Sequence, residues 1–143
     1  MSGSSLTAVR PFDVLTVGEP MVLFRALAPG PLQEAAQFAR HSAGSELNVA
    51  IGMARLGHHV GYLSRVGDDS FGRFLLDLLA RESIDASLVG VDPAHRTGFM
   101  LKSCEADGAD PVIEYHRRGS AASRLGIADL RPLHARRGVP FLL

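Results

Sequence analysis

The chain has 143 residues, enough for one domain with a real core. Apolar residues make up 46% and charged residues 21%, which sets aside a disordered or fibrous chain. The 15 Lys and Arg balance 15 Asp and Glu, so there is no basic excess to serve nucleic acid or a membrane surface. The single cysteine, Cys104, allows no internal disulfide framework and fits a reducing compartment. The opening "MSGSSLTAVRPFD" lacks the apolar stretch of a signal peptide, and no run approaches the roughly 18 apolar residues of a membrane span. The expectation is a cytoplasmic protein with no nucleic-acid or membrane partner.

Met1–Arg10 reads as a polar, disordered leader. "DVLTVGE" (Asp13–Glu19) is a short apolar, β-branched run closed by Gly18, the pattern of a buried parallel strand. "MVLFRAL" (Met21–Leu27) is a second strand, ended by "APGP". "QEAAQFARHSAG" fits either a helix or an extended segment. The spacing predicts a helix over Glu46–Leu56, because Leu47, Ala50, Ile51 and Ala54 form one apolar stripe and Gly57 stands where helices end. "HVGYLSRVG" reads as a strand, and Asp69 or Ser70 caps the next helix, whose face is Phe71, Phe74, Leu75, Leu78 and Leu79. "IDASLVGVD" follows as a strand. This alternation is the signature of an α/β fold with a parallel sheet. From Arg96 the pattern changes: "TGFMLKSCEADGADPVIEYHRR" reads as two strands around a polar turn, a hairpin that can stand apart as a flap. "GSAASRLGIADL" holds small residues and then a helix start, and the tail from Arg131 has no period.

Several side chains carry chemistry. Asn48 lies on the first turn of an apolar helix, just after Gly44. Helix N-termini present unpaired N–H donors and suit oxygen-rich or anionic ligands, whereas Asn also satisfies local backbone groups at such places. Tyr115 and Arg117 share one face of a strand, with His116 on the other. An arginine fork suits a carboxylate, though an edge strand also carries arginines for solubility. Glu19 sits at the C-terminal end of the first strand, where α/β sheets bind ligands, and equally reads as a turn acid before Pro20. Asp68 and Asp69 read as helix-start acids rather than a metal pair. His58 and His59 read as surface residues, and nothing near Cys104 activates a thiol.

"AGSELNVAIGMARLG" followed by "GYLSRVGDDSFG" resembles the first signature of the ribokinase-like (PfkB) carbohydrate kinases. Ala43, Gly44, Asn48, Gly57, Gly67 and Gly72 match that pattern. "VGEPMVLF" and "YHRRGSAAS" look most like the 2-keto-3-deoxygluconate kinase branch. The resemblance runs from about Phe12 to Leu130. It implies a three-layer α/β fold with a parallel central sheet and a small β lid, built from about residues 20–42 and 97–117, truncated here. It implies ATP- and Mg²⁺-dependent phosphorylation of a sugar or sugar acid. It places substrate at Gly44, Ser45, Glu46, Leu47 and Asn48, where the glycine lets the backbone approach the sugar, and at Tyr115, His116 and Arg117. One departure is Met100, where the branch tends to have an aromatic.

The family's Gly-Ala-Gly-Asp motif, which holds the transferring phosphoryl and supplies the base, has no counterpart here. "DGAD" (Asp107–Asp110) lacks the second glycine and is followed by Pro111 and a strand-like run, so it reads as a hairpin turn. No Walker-type loop occurs. The expectation is an N-terminal part, residues 11–130, without ATP site or catalytic residues and inactive alone, with an atypical tail at 131–143 from truncation or a frameshift. The rivals are a non-catalytic sugar-acid binding or regulatory module, and a lid-mediated homo-oligomer without ligand. A dinucleotide-binding oxidoreductase is disfavoured because the first strand ends "VGEPMV" rather than Gly-x-Gly-x-x-Gly.

Overall fold

Apolar periodicity places most of the elements. In the computed structural model, which describes residues 12–106 and 108–134 and for 133 and 134 the backbone alone, strand β1 spans Val14–Val17 and β4 spans Val60–Gly67. Helix α1 spans Ser45–Arg55, α2 Ser70–Arg81 and strand β5 Asp85–Asp92. β1, β4 and β5 form a parallel sheet in the order β1-β4-β5, with Val14 beside Val60 and Thr16 beside Tyr62. The two helical stripes bury Leu47 and Ala50 from α1 and Leu75 and Leu79 from α2 against Val14, Val60, Tyr62 and Val66. The opposite face of the sheet carries Phe12, Leu15, Leu63 and Leu88, packed against Leu125 and Leu130.

The remaining strands make a second, four-stranded sheet. β2 (Met21–Ala26), β3 (Phe38–Ala43), β6 (Phe99–Lys102) and β7 (Ile113–His116) run in the order β3-β2-β6-β7. β6 and β7 are the expected antiparallel hairpin. The hairpin is not a separate flap: β6 pairs in parallel with β2, Val22 beside Phe99. The segment that fits both helix and strand resolves into a 3-10 turn at Leu32–Glu34 and then β3. The helix start in "GSAASRLGIADL" becomes two 3-10 turns, Ala122–Arg124 and Ile127–Leu130, followed by a single helical turn, α3 (Arg131–His134). The leader Met1–Arg10, Asp107 of "DGAD" and the tail beyond His134 lie outside the described residues.

The two sheets meet at an aromatic cluster. Phe24 of β2 lies 5.4 Å from Phe71 of α2, and Phe71 lies 5.7 Å from Phe99 of β6. Arg40 of β3 stands 4.1 Å above the Phe74 ring, a cation–π contact. The face of the second sheet that carries Val22, Phe24, Phe99 and His116 is thereby set against α2.

The turn between β4 and α2 explains "VGDDSFG". Asp69 caps α2, its Oδ1 accepting the Gly72 N–H at 2.7 Å. The same carboxylate accepts the Thr97 N–H at 2.9 Å and the Thr97 hydroxyl at 2.8 Å, and the Thr97 hydroxyl oxygen accepts the Gly67 N–H at 2.8 Å. Burial would push this carboxyl up, but the bonds from Thr97, Gly72 and Phe71 outweigh it and hold Asp69 below the ordinary carboxylate range. Any side chain at Gly72 would run into the Gly67 carbonyl oxygen. Asp68 is exposed and pairs with Arg73 at 3.1 Å.

Candidate sugar site

The end of β1, the start of α1 and the end of β7 come together at one residue, Glu19. Its backbone oxygen faces Gly44, the residue before α1, at a distance where a Cβ would stand 2.8 Å away. Gly44 also has φ +135°, a region L side chains rarely adopt. The structure therefore gives Gly44 an internal reason, close approach of the α1 start to β1, that requires no ligand.

The Glu19 side chain is 9% exposed and uses both oxygens. Oε2 pairs with Arg117 Nη2 at 2.7 Å, and Oε1 accepts the Ser120 hydroxyl at 2.6 Å. Arg117, just past β7, is 50% exposed. Gly44, Glu19 and Arg117 thus share one neighbourhood, although 98 residues of sequence separate the last two.

The other expected site residues distribute as follows. Ser45 and Glu46 occupy the first turn of α1, the Ser45 hydroxyl 3.3 Å from Glu46 Oε2. The Leu47 side chain is fully buried in the core, so at the helix start it presents its backbone. Asn48 is exposed, and its side chain makes no hydrogen bond among the described residues, so it is not spent on local backbone groups. Tyr115 is 56% exposed. His116 stacks on Phe99 at 4.6 Å with the rings 6° from parallel, which engages its ring with the lid's own core face.

Beside this group lies a cleft of about 880 Å³ between α2, the loop from Pro93 to Thr97, and the β7 edge. Tyr115, His116, Arg96 and Arg118 line it, whereas Gly44, Asn48 and Arg117 do not. Ser120, bonded to Glu19, and Thr97, bonded to Asp69 and Gly67, are side chains that sequence reading passed over. Each belongs to a quoted motif, "GSAAS" and "TG", but its role depends on a partner far along the chain.

Beneath α1, Tyr62 is fully buried, and among the described residues neither its hydroxyl nor the Thr16 hydroxyl in the neighbouring strand has a partner. Burial pushes the Tyr62 phenol up, and the negative charges of Glu46 and Glu19 add to the shift. Two carboxylates, Glu46 and Glu19, therefore lie near the α1 start, and Arg117 pairs with one of them, Glu19. Among the described residues no helix is long and apolar enough to cross a membrane.

A parallel α/β unit carries a small mixed sheet, and the two meet at Glu19 beside a glycine-led helix start. The chain belongs to the PfkB carbohydrate kinase family, whose model matches residues 12–126. The 2-dehydro-3-deoxygluconokinase of Bacillus subtilis (strain 168) is 42% identical over 118 residues, covering 82% of this chain and 36% of the relative. The crystal structure of a PfkB protein from Polaromonas sp. JS666 is 53% identical with a TM-score of 0.79, covering 82% of this chain and 39% of that one. A sugar kinase from Pyrococcus horikoshii in complex with ATP is 28% identical with a TM-score of 0.75, covering 81% of this chain and 37% of that one. The ribokinase-like fold expected from the motifs is borne out. The chain spans a little over a third of the length of the relatives it matches.

Proposed function

We propose that this chain forms the substrate-holding part of a carbohydrate kinase acting on a 2-dehydro-3-deoxy sugar acid. The observation that carries the reading is the convergence of the Gly44 helix start and Arg117 on Glu19. The first turn of α1 offers N–H donors to sugar oxygens, and the exposed Asn48 amide extends them. Arg117 supplies a planar fork for the acid's carboxylate, with the Tyr115 phenol on the same face of the lid strand. The likeness to the Bacillus subtilis enzyme supports this choice of acid.

ATP with Mg²⁺ is the phosphoryl source the family implies. The residues present do not fit that group. Asp69 is committed to the α2 cap and Thr97, and Asp68 to Arg73. No Gly-Ala-Gly-Asp sequence occurs in the chain. On this reading the 143 residues hold the sugar acid and do not turn over ATP alone.

Calorimetry on the purified chain tests this. Binding of 2-dehydro-3-deoxygluconate, weakened about tenfold by Arg117→Ala, is the expected result; the size is that of a lost charge-assisted pair. Binding that ignores Arg117→Ala sinks the sugar-acid assignment, and sugar-dependent ATP hydrolysis sinks the division of labour. Sugar binding indifferent to nucleotide is what a non-catalytic binding module also gives, so phosphorylation of the acid once the chain is fused to the remaining length of a matching relative separates those two.

A further inference from the structure

We propose that Glu19 is the positioning residue for Arg117, turning a half-exposed lid arginine into a fixed donor for a carboxylate. The choice of ligand rests on the sugar-acid reading above; the latch rests on the geometry alone.

Glu19 is nearly buried, and a carboxylate so placed must be paired and hydrogen-bonded. Both partners, Arg117 and Ser120, come from the return end of the lid. The fit is built on both sides. On one, the Glu19 backbone is pressed against Gly44 and followed by the buried Pro20. On the other, a side chain at Gly98, just before β6, would strike Glu19 Oε1 and come within 3.3 Å of the Arg117 Cβ. The glycine leaves room for the carboxylate to reach under the lid.

Arg118 supplies the contrast. It is the next residue, it is exposed, and it has no ion pair among the described residues. Of two adjacent arginines, one is loose and one is held. The held one meets Glu19 through Nη2, so the rest of its fork stays free for a ligand. An arginine ordered beforehand loses less side-chain entropy on binding, and that gain goes to the charged ligand and not to a neutral one.

The test uses the full 143-residue chain with Glu19→Gln, which keeps shape and removes charge, and Glu19→Asp as the conservative variant. Amide exchange is followed over residues 113–121 and calorimetry is run with 2-dehydro-3-deoxygluconate and with fructose, a neutral ketose. Glu19→Gln is expected to speed exchange in that segment about tenfold and raise the acid's Kd about tenfold while fructose changes less than about twofold, with Glu19→Asp recovering part of both. Unchanged exchange overturns the latch. Equal weakening for both sugars makes Glu19 merely structural, and tighter acid binding makes it a competitor for Arg117; either overturns the proposal. If the parent chain binds neither sugar, the sugar-acid reading fails and exchange alone decides the latch. If Glu19→Gln does not fold, Ser120→Ala takes its place: it frees Oε1 without removing charge and should reproduce the split between acid and neutral sugar at about threefold. No such split overturns the proposal.

Discussion

β4 and β7 are the two extremes of this molecule. Seven of the eight residues of β4 are buried, whereas all four of β7 are exposed. β4 has strands on both edges and helices over one face; β7 is an edge strand with one neighbour. The core strand is held by apolar burial spread over many side chains. The lid strand is held by its register with β6, by the stacking of His116 on Phe99 and, just past its end, by an ion pair and a hydroxyl bond to Glu19. Substitutions in the first region therefore act on stability, and substitutions in the second act on where a few polar groups stand.

The sharpest way to break that comparison is Gly72→Ala against Ile113→Ala. At Gly72 a methyl meets a backbone carbonyl that cannot step aside, so urea unfolding should show a loss of about 3 kcal/mol or more. Ile113 is partly exposed on β7, and its truncation should cost less than about 1 kcal/mol. Similar costs for the two would mean that core and lid share one degree of packing.

Next in size is Asp69→Ala. It removes the α2 cap and leaves the Thr97 N–H without its acceptor, for an expected loss of about 2–3 kcal/mol in the same unfolding measurement. Asp69 also sets an acid limit. Its folded carboxyl lies below the unfolded value near 3.9, so its contribution is complete above that pH and disappears as pH falls through the folded value. Stability measured from pH 6 down to 3 should fall more steeply in the parent chain than in Asp69→Asn.

The smallest effect belongs to Tyr62→Phe, because the hydroxyl removed is buried and has no partner among the described residues. The expected change is neutral to about 1 kcal/mol stabilising. The folded phenol titrates above its unfolded value near 10, so the native state is favoured below that pH and loses ground as pH rises past it. Tyr62→Phe should flatten the alkaline limb of stability. A clear destabilisation instead would point to an internal water satisfying the hydroxyl.

How much was legible follows the same division. Both helices and the three core strands are readable because burial imposes a period on the residues, 3.6 for Leu47, Ala50 and Ile51, and an apolar run for Val14–Val17. The lid hairpin is readable from its turn. Its membership in the second sheet is not, since the β2–β6 pairing joins strands far apart in sequence and leaves no local pattern. The Gly44–Asn48 stretch was recognisable as a candidate site, and Glu19 as a residue at a strand end. That Glu19 serves Arg117 and Ser120 was hidden, because nothing in a residue's neighbours reports a partner about a hundred positions away.

What the amino-acid sequence determined by itself is therefore the α/β class, the presence and apolar faces of the two long helices, and the family, since each depends on local chemistry repeated at fixed spacing. What only the tertiary structure decided is the joining of hairpin and β2–β3 into one lid, the burial of the Leu47 side chain in the core, the stacking of His116 on Phe99, and the choice of Arg117 over Arg118 as the held arginine. The physical reason is common to all four: an edge strand, a buried carboxylate and a ring each take their partner from whatever the folded chain brings near, and proximity in space is not written in the order of residues.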